Sequence, residues 1–361
     1  MNDTASPDSA APSGRLRRRI SERGPIVFAE VMEEALYGEG GYYNRDRLPI
    51  GEEGGDYVTG SALSTLFGGA TARLLGRLDT ALGGRATLLE AGYGDGRHLH
   101  AVAAAAPGAR LIGWDRIRRP LPDGVECLEA LDELMEPIDG LVFSYELFDA
   151  LPVHRLVGRA DGSLGELWVD VDADGTFVWR PGDLSDPGLD ALVGGETLRP
   201  GQVADLSPGW RPLQARLASK LGRGLLVACD YGYERRQLLD PRIRFHGTLA
   251  CYAEHRVNRD ALSRVGEQDL TAHVDFTTLR EAGEAAGLTT VALTRQARWL
   301  TGLDLFEELG DSSDFETRRQ AAVLLDPAGM GDQIRVLVQA RGVDPATLFD
   351  ASLFGGAGAS D

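Results

Sequence analysis

The chain has 361 residues, enough for one large domain or two ordinary ones, with 43% hydrophobic and 25% charged residues, the balance of a globular protein with a sizeable core. Its formal net charge of -18 is the reverse of the basic footprint of a general nucleic-acid binder, and an acidic surface suits cationic partners. Cys127, Cys229 and Cys251 are odd in number and too scattered for a zinc knuckle, and His98 and His100 would point to different faces of a helix, so reduced thiols and no metal site are expected.

The N-terminal MNDTASPDSAAPSG and the arginine run after it contain no apolar segment. Residues 1–23 therefore read as a solvated, disordered tail and not as a secretory signal. No apolar run reaches the ~20 residues of a membrane helix. With the reduced thiols this predicts a cytoplasmic protein without a membrane partner. PIVFAEVMEEALY predicts a helix from Pro25 to Tyr37, and LSTLFGGATARLLGRLDTAL a second from Leu63. The glycine-rich, aromatic stretch between them reads as an ordered loop. Residues 24–82 together are expected to form an N-terminal helical cover.

At ATLLEAG the pattern changes to a short continuous apolar strand. HLHAVAAAA is helical, RLIGWD a second strand and GVECLEAL a third element, and Leu141 to Ser144 lie in a fourth strand. This alternation over residues 83–154 is that of a doubly wound α/β sheet. GELWVDV and TFVWR, separated by DADG, read instead as antiparallel strands, so residues 155–222 are expected to form an inserted smaller lobe. GLLVACDYGY returns to the core as a fifth strand. The helix DFTTLREAGEAAGL and the strand TTVALTRQ follow within residues 223–340, and residues 341–361 read as a tail.

The stretch LLEAGYGDGRHLH holds the first chemistry. Glu90 ends the first strand, and Gly92, Gly94 and Gly96 follow at spacings of two. Glycines allow positive φ and a close approach of backbone to ligand. The dinucleotide fingerprint G-x-G-x-x-G fails, because its third glycine would fall at Arg97, and no Gly-Lys-Ser/Thr makes it a Walker loop. G-x-G-x-G is the spacing of S-adenosylmethionine (SAM) sites in Rossmann-like methyltransferases, although a plain strand–helix turn also favours glycine. Asp115, ending the second strand, is expected to bind ribose hydroxyls, against the alternative that it caps a turn. Glu129, after the third, lies either beside an adenine or in solvent.

Three further stretches carry a resemblance. GPIVFAEVMEEALYGEGGYY with GDYVTGSALSTLFG, then YELFDALPVHR, then DYGY with GTL and DLTAHVDF, resemble in order and spacing the MidA-type SAM-dependent methyltransferases. That family includes the mitochondrial complex I assembly factor that methylates arginine. The resemblance runs from Gly24 to Leu303. It implies a Rossmann-like class I methyltransferase sheet with an extra lobe, SAM as cofactor, and a guanidinium nitrogen as methyl acceptor. Gly92, Gly94 and Gly96 match the SAM loop, and Glu146, Asp149, Pro152 and His154 match the family's Asn-Glu-Phe-Phe-Asp-Ala-Leu-Pro-Val-His. The chain departs at Tyr93, where the family has proline, and at Tyr145, where it has asparagine. After Thr59, Gly60, Ser61 and Ala62 replace Ser-Pro-Glu. Thr59, Glu90, the three glycines, Asp115 and Glu129 form the expected cofactor set.

A guanidinium is a poor nucleophile, because its charge is delocalised and its pKa exceeds ~12. Carboxylates help by holding it bidentately and by drawing its charge away from the attacking nitrogen. Glu146 is the first catalytic candidate, weighed against a helix-start acid that caps backbone N–H groups. Glu166 is a second clamp or a solvated strand acid, and His273 a proton acceptor or a structural histidine. Asp149 is expected around the acceptor or as a cap that holds the loop, and Tyr145 and Tyr231 as walls of the acceptor pocket or as packing residues. The acceptor is an arginine-containing protein, or free L-arginine or a related small guanidine. A non-catalytic assembly factor that retains the fold, and methyl transfer to oxygen or carbon, are the alternatives. A homodimer is compatible with the sequence.

Overall fold

The structure is a computed structural model that describes residues 11–44, 65–253, 256–305 and 315–349. The first stretch forms α1 (Pro12–Arg23), β1 (Ile26–Val27) and α2 (Phe28–Tyr37). Next come α3 (Thr65–Leu82), β2 (Thr87–Ala91), α4 (Arg97–Ala105), β3 (Arg110–Trp114), β4 (Glu126–Leu128) and β5 (Ile138–Tyr145). β6 (His154–Gly158), β7 (Leu164–Val171), β8 (Phe177–Gly182) and β9 (Val203–Leu206) precede α5 (Trp210–Ser219) and β10 (Leu221–Tyr233). The remainder holds α6 (Arg235–Leu238), β11 (Ala250–Ala253), β12 (Arg256–Asn258), β13 (Asp269–Thr271), β14 (Val274–Asp275), α7 (Phe276–Ala285), β15 (Thr289–Arg295), α8 (Gln296–Thr301), α9 (Phe315–Leu325), α10 (Met330–Gln333) and β16 (Ile334–Arg341).

Two compact units divide the chain. One comprises residues 58–147, 211–232 and 276–361. Its main sheet runs in the order β15-β16-β10-β5-β2-β3-β4. Neighbours from β10 through β4 are parallel, whereas β16 is antiparallel to both β10 and β15. Strands covered on both faces read as continuous apolar runs, and all five residues of β2 are buried. Leu88, Leu111, Leu141, Phe143, Leu225, Val227, Val336 and Val338 join α3's Phe67 and Leu74 in one core. The chain runs outward from β2 through β3 to β4, then returns to β5 and β10 on the other side. The carboxyl ends of β2 and β5 are thus a topological switch point, the place where open α/β sheets bind ligands.

The other unit comprises residues 1–57, 148–210 and 233–275. It holds an antiparallel sheet in the order β1-β7-β6-β9, with β8 on β7, and a small sheet in the order β12-β11-β13. It is larger than the lobe expected at 155–222. It takes in the first stretch of the expected cover and residues 233–275, while residues 211–222 belong to the first unit. The expected cover is therefore divided, because α3 packs in the core of the main sheet.

Residues 12–23 are helix, where a disordered tail was expected. Pro12 stands at the first turn, Pro12, Leu16 and Ile20 are buried at spacings of four, and Gly24 at φ 81 closes the helix by donating its N–H to the Ile20 carbonyl. At the other end the expected tail is also shorter. β16 runs to Arg341, and Leu348 and Phe349 are buried in the core. No described helix is long and apolar enough to cross a membrane.

Candidate cofactor site

The glycine loop joins β2 to α4. Gly92, Gly94 and Gly96 have φ of 74, 56 and 78, the left-handed region that L side chains avoid. A Cβ at Gly92 would stand 2.8 Å from Leu147 Cδ1, and one at Gly96 2.9 Å from Leu121 Cδ2, whereas one at Gly94 would meet nothing within 4 Å among the described residues. Two of the glycines therefore satisfy close packing, and among the described residues the third has room beside it.

The three glycine N–H groups are already engaged. Gly92 donates to the Trp114 carbonyl at 2.7 Å, Gly96 to that of Tyr93 at 2.9 Å, and Gly94 to Asp115 Oδ2 at 2.9 Å. None of the three is turned outward to grip a phosphate. Asp115 Oδ1 accepts the Ile117 N–H at 2.9 Å, so the acid expected at a ribose also ties β3's exit to the loop. Burial pushes the Asp115 carboxyl up, the Ile117 and Gly94 N–H groups pull it back, and the charge of Glu90 adds to the rise.

Tyr93, in place of the family's proline, points down into the core and is 4% exposed. Its hydroxyl accepts the Arg119 N–H at 2.8 Å, donates to the Arg119 carbonyl at 3.0 Å and lies 3.6 Å from Cys127 Sγ. Burial raises its pKa well above the ordinary tyrosine value. Glu90 is 2% exposed at the end of β2. Its Oε2 lies 3.0 Å from His98 Nδ1, yet neither atom has a directed hydrogen bond among the described residues.

Glu129 is exposed and is held by Arg118 at 2.5 Å, directly after β4, the strand two places from β2. Thr59 lies outside the described residues. In the same unit, Glu146 follows β5 with φ 49, a conformation uncommon in residues other than glycine, and its N–H donates to the Cys229 carbonyl at 2.9 Å. Tyr145 turns into the core, where its hydroxyl donates to Gln296 Oε1 at 2.6 Å. Its phenol is raised by burial and then by the charge of Glu146. The phenol is thus buried and spends its hydroxyl on Gln296. Tyr231 is half-buried at the end of β10 and packs on the core cluster.

The remaining candidates lie in the other unit. Glu166 is fully buried and not a solvated strand acid. His154 Nδ1 is 2.6 Å from its Oε1, and the Ser185 N–H donates to its Oε2 at 2.8 Å. Burial raises the Glu166 carboxyl, but these two partners outweigh it and hold it below the usual range. With both oxygens occupied, Glu166 positions His154 and has little capacity left for a second clamp. His273 sits with its ring 5.4 Å from Tyr233, over which the Arg244 guanidinium stacks at 3.5 Å. Burial, and then Arg244, depress His273 to about 4. Asp149 is buried, and its carbonyl accepts the Ala272 N–H at 3.0 Å.

Sequence reasoning missed two residues of the loop's surroundings, His98 and Thr71. His98 was weighed only against His100 as a metal ligand, and no group of side chains suited to a metal occurs among the described residues. Nothing local marks Thr71, because it meets His98 only through packing of α3 on α4.

A loop that spends its three glycine N–H groups internally and is flanked by Glu90 and Asp115 does not suit a pyrophosphate. It suits a cationic nucleoside with free ribose hydroxyls, which describes SAM. At the switch point of a sheet in this strand order, such a loop defines a SAM-dependent class I methyltransferase. Residues 87–294 match a family model described as a putative S-adenosyl-L-methionine-dependent methyltransferase. The chain belongs to this MidA-type family, and its cofactor is SAM. Among curated proteins it is 26% identical over 392 residues to mitochondrial protein arginine methyltransferase NDUFAF7 of Rattus norvegicus, covering 92% of this chain and 85% of the relative. The Drosophila melanogaster homolog is likewise 26% identical, covering 92% of this chain and 86% of the relative. A crystal structure of a COG1565 superfamily member and likely methyl transferase from Burkholderia thailandensis, bound to S-adenosyl-homocysteine, superposes with a TM-score of 0.84. It is 28% identical and covers 94% of this chain and 95% of that one.

Proposed function

We propose that this methyltransferase acts on the guanidinium of arginine, in a protein or as the free amino acid or a related small guanidine. The observation that carries the reading is Glu146, a carboxylate held at φ 49 directly after β5, beside the switch point. The names of the curated relatives support it. Strained backbone persists where the surroundings over-determine it, and here the Cys229 carbonyl fixes the Glu146 N–H.

Bound SAM supplies an electrophilic methyl on its sulfonium. Glu90 and Asp115 are the acids that favour its positive charge and its ribose, and the loop at Gly94 leaves room for its backbone-close approach. Glu146 then has two tasks. Its carboxylate pairs with guanidinium N–H groups and draws positive charge from the nitrogen that attacks. It also accepts the proton that this nitrogen loses as the N–C bond forms and the S–C bond breaks. Holding nucleophile and methyl in line converts an encounter into a near-intramolecular displacement.

The test is incubation with methyl-labelled SAM and either free L-arginine or arginine-containing protein, followed by analysis of the labelled product. Methylarginine is expected. Label on an oxygen or a carbon, or no transfer by protein that binds SAM, would overturn the reading. Glu146→Gln is expected to lower kcat by about 100-fold or more while the SAM Kd stays within about threefold.

A further inference from the structure

Glu90 presents a physical problem. A carboxylate that is 2% exposed, with Oε2 lacking a directed hydrogen bond, is costly unless a neighbour offsets its charge. Among the described residues, His98 of α4, at 3.0 Å, and Asp115 at the end of β3, whose negative charge acts against it, face Glu90. His98 is itself held from several sides. Its Nε2 is 3.0 Å from Thr71 Oγ1 on α3, and that hydroxyl also reaches the Phe67 carbonyl at 3.1 Å. Its ring packs edge-on against Phe67 at 5.3 Å and tilted against Phe143 at 5.1 Å. His98 is 2% exposed and Thr71 is fully buried, so neither is placed to touch solvent.

From this we infer that His98, anchored by Thr71, is a positioning residue for cofactor binding. It fixes the Glu90 carboxylate at the end of β2, immediately before the glycine loop. Without a nitrogen there, the buried carboxylate loses the neighbour that holds its Oε2 and offsets its burial, and its contribution to cofactor binding falls. The aromatic walls fix the imidazole's plane, Thr71 fixes its far nitrogen, and the near nitrogen faces Glu90. His98 acts through Glu90 and not on the cofactor. The inference concerns SAM affinity alone and does not depend on what the methyl acceptor is.

The test is calorimetric titration of SAM into the full chain and its variants, with folding checked by near-UV circular dichroism. Measurable binding to the unaltered chain is the control that separates this inference from the cofactor assignment. His98→Phe keeps an aromatic ring in the same walls and is expected to raise the SAM Kd about 10-fold. Glu90→Gln is expected to raise it by a similar factor. The decisive measurement is the double variant. If His98 works through Glu90, adding His98→Phe to Glu90→Gln changes Kd by less than about twofold, because interacting residues are not additive. Full additivity would overturn the inference, since a merely structural histidine weakens binding whether or not Glu90 is charged. Thr71→Val, nearly isosteric, keeps the test open if His98→Phe fails to fold. It is expected to raise Kd about threefold, and a folded Thr71→Val with unchanged Kd would also overturn the proposal.

Discussion

Tyr93 carries more than its position in a glycine loop suggests. A proline there would stiffen the turn through its own ring. Tyrosine stiffens it from a distance, because its hydroxyl satisfies both the N–H and the carbonyl of Arg119. The loop after β2 and the segment after β3 are thereby pinned to one point, and Asp115 adds a second tie through the Gly94 N–H. Tyr93→Phe removes the hydroxyl and leaves two backbone groups without that partner. It is expected to cost about 1–2 kcal/mol of stability and to weaken SAM binding a few-fold. Urea unfolding and calorimetry check this, and unchanged values of both would show that the ring alone holds the loop. The glycines were legible because their spacing is a local signal. What Tyr93 touches was not, since Arg119 and Cys127 reach it only once β3 and β4 are aligned.

At the scale of elements, α1 shows where composition misleads. Its arginine run reads as a solvated tail, and the apolar stripe of Pro12, Leu16 and Ile20 is only one residue wide. Partners elsewhere make it a helix. Arg15 and Arg19 reach Glu34 of α2 at 2.7 and 3.1 Å, and Arg17 lies over Phe177 at 5.0 Å while donating to the Gly175 carbonyl. The basic run thus belongs to its own lobe. Leu16 is fully buried, so Leu16→Ala is expected to cost about 2–4 kcal/mol, read from the urea midpoint. A loss below about 0.5 kcal/mol would mean that α1 does not dock. The buried strands were legible for the opposite reason, because each carries its apolar pattern within itself. β16 was not read, and its place between β10 and β15 is a non-local pairing.

For the whole molecule, the acidic chain carries a built-in sensitivity to acid at His273. His273 has an ordinary value of 6.5 and is held down to about 4 in the fold. The unfolded chain therefore binds more protons between those values. The stability this contributes is present above about pH 6.5 and is lost as pH falls toward 4, by about 3 kcal/mol at most. His273→Gln is expected to flatten the fall in melting temperature between pH 7 and pH 4.5, and an unchanged slope would exclude His273 as its source. The sequence by itself determined the doubly wound sheet, the glycine turn that follows β2 and the family, because apolar runs, glycine spacing and ordered motifs are written along the chain. Tertiary structure decided the extent of the second unit, the docking of α1 and the partners of buried charge. Glu166 became the holder of His154, Tyr145 became a core residue, and Glu90 acquired His98. A carboxylate's role depends on what replaces its water, and those replacements come from segments far apart in sequence.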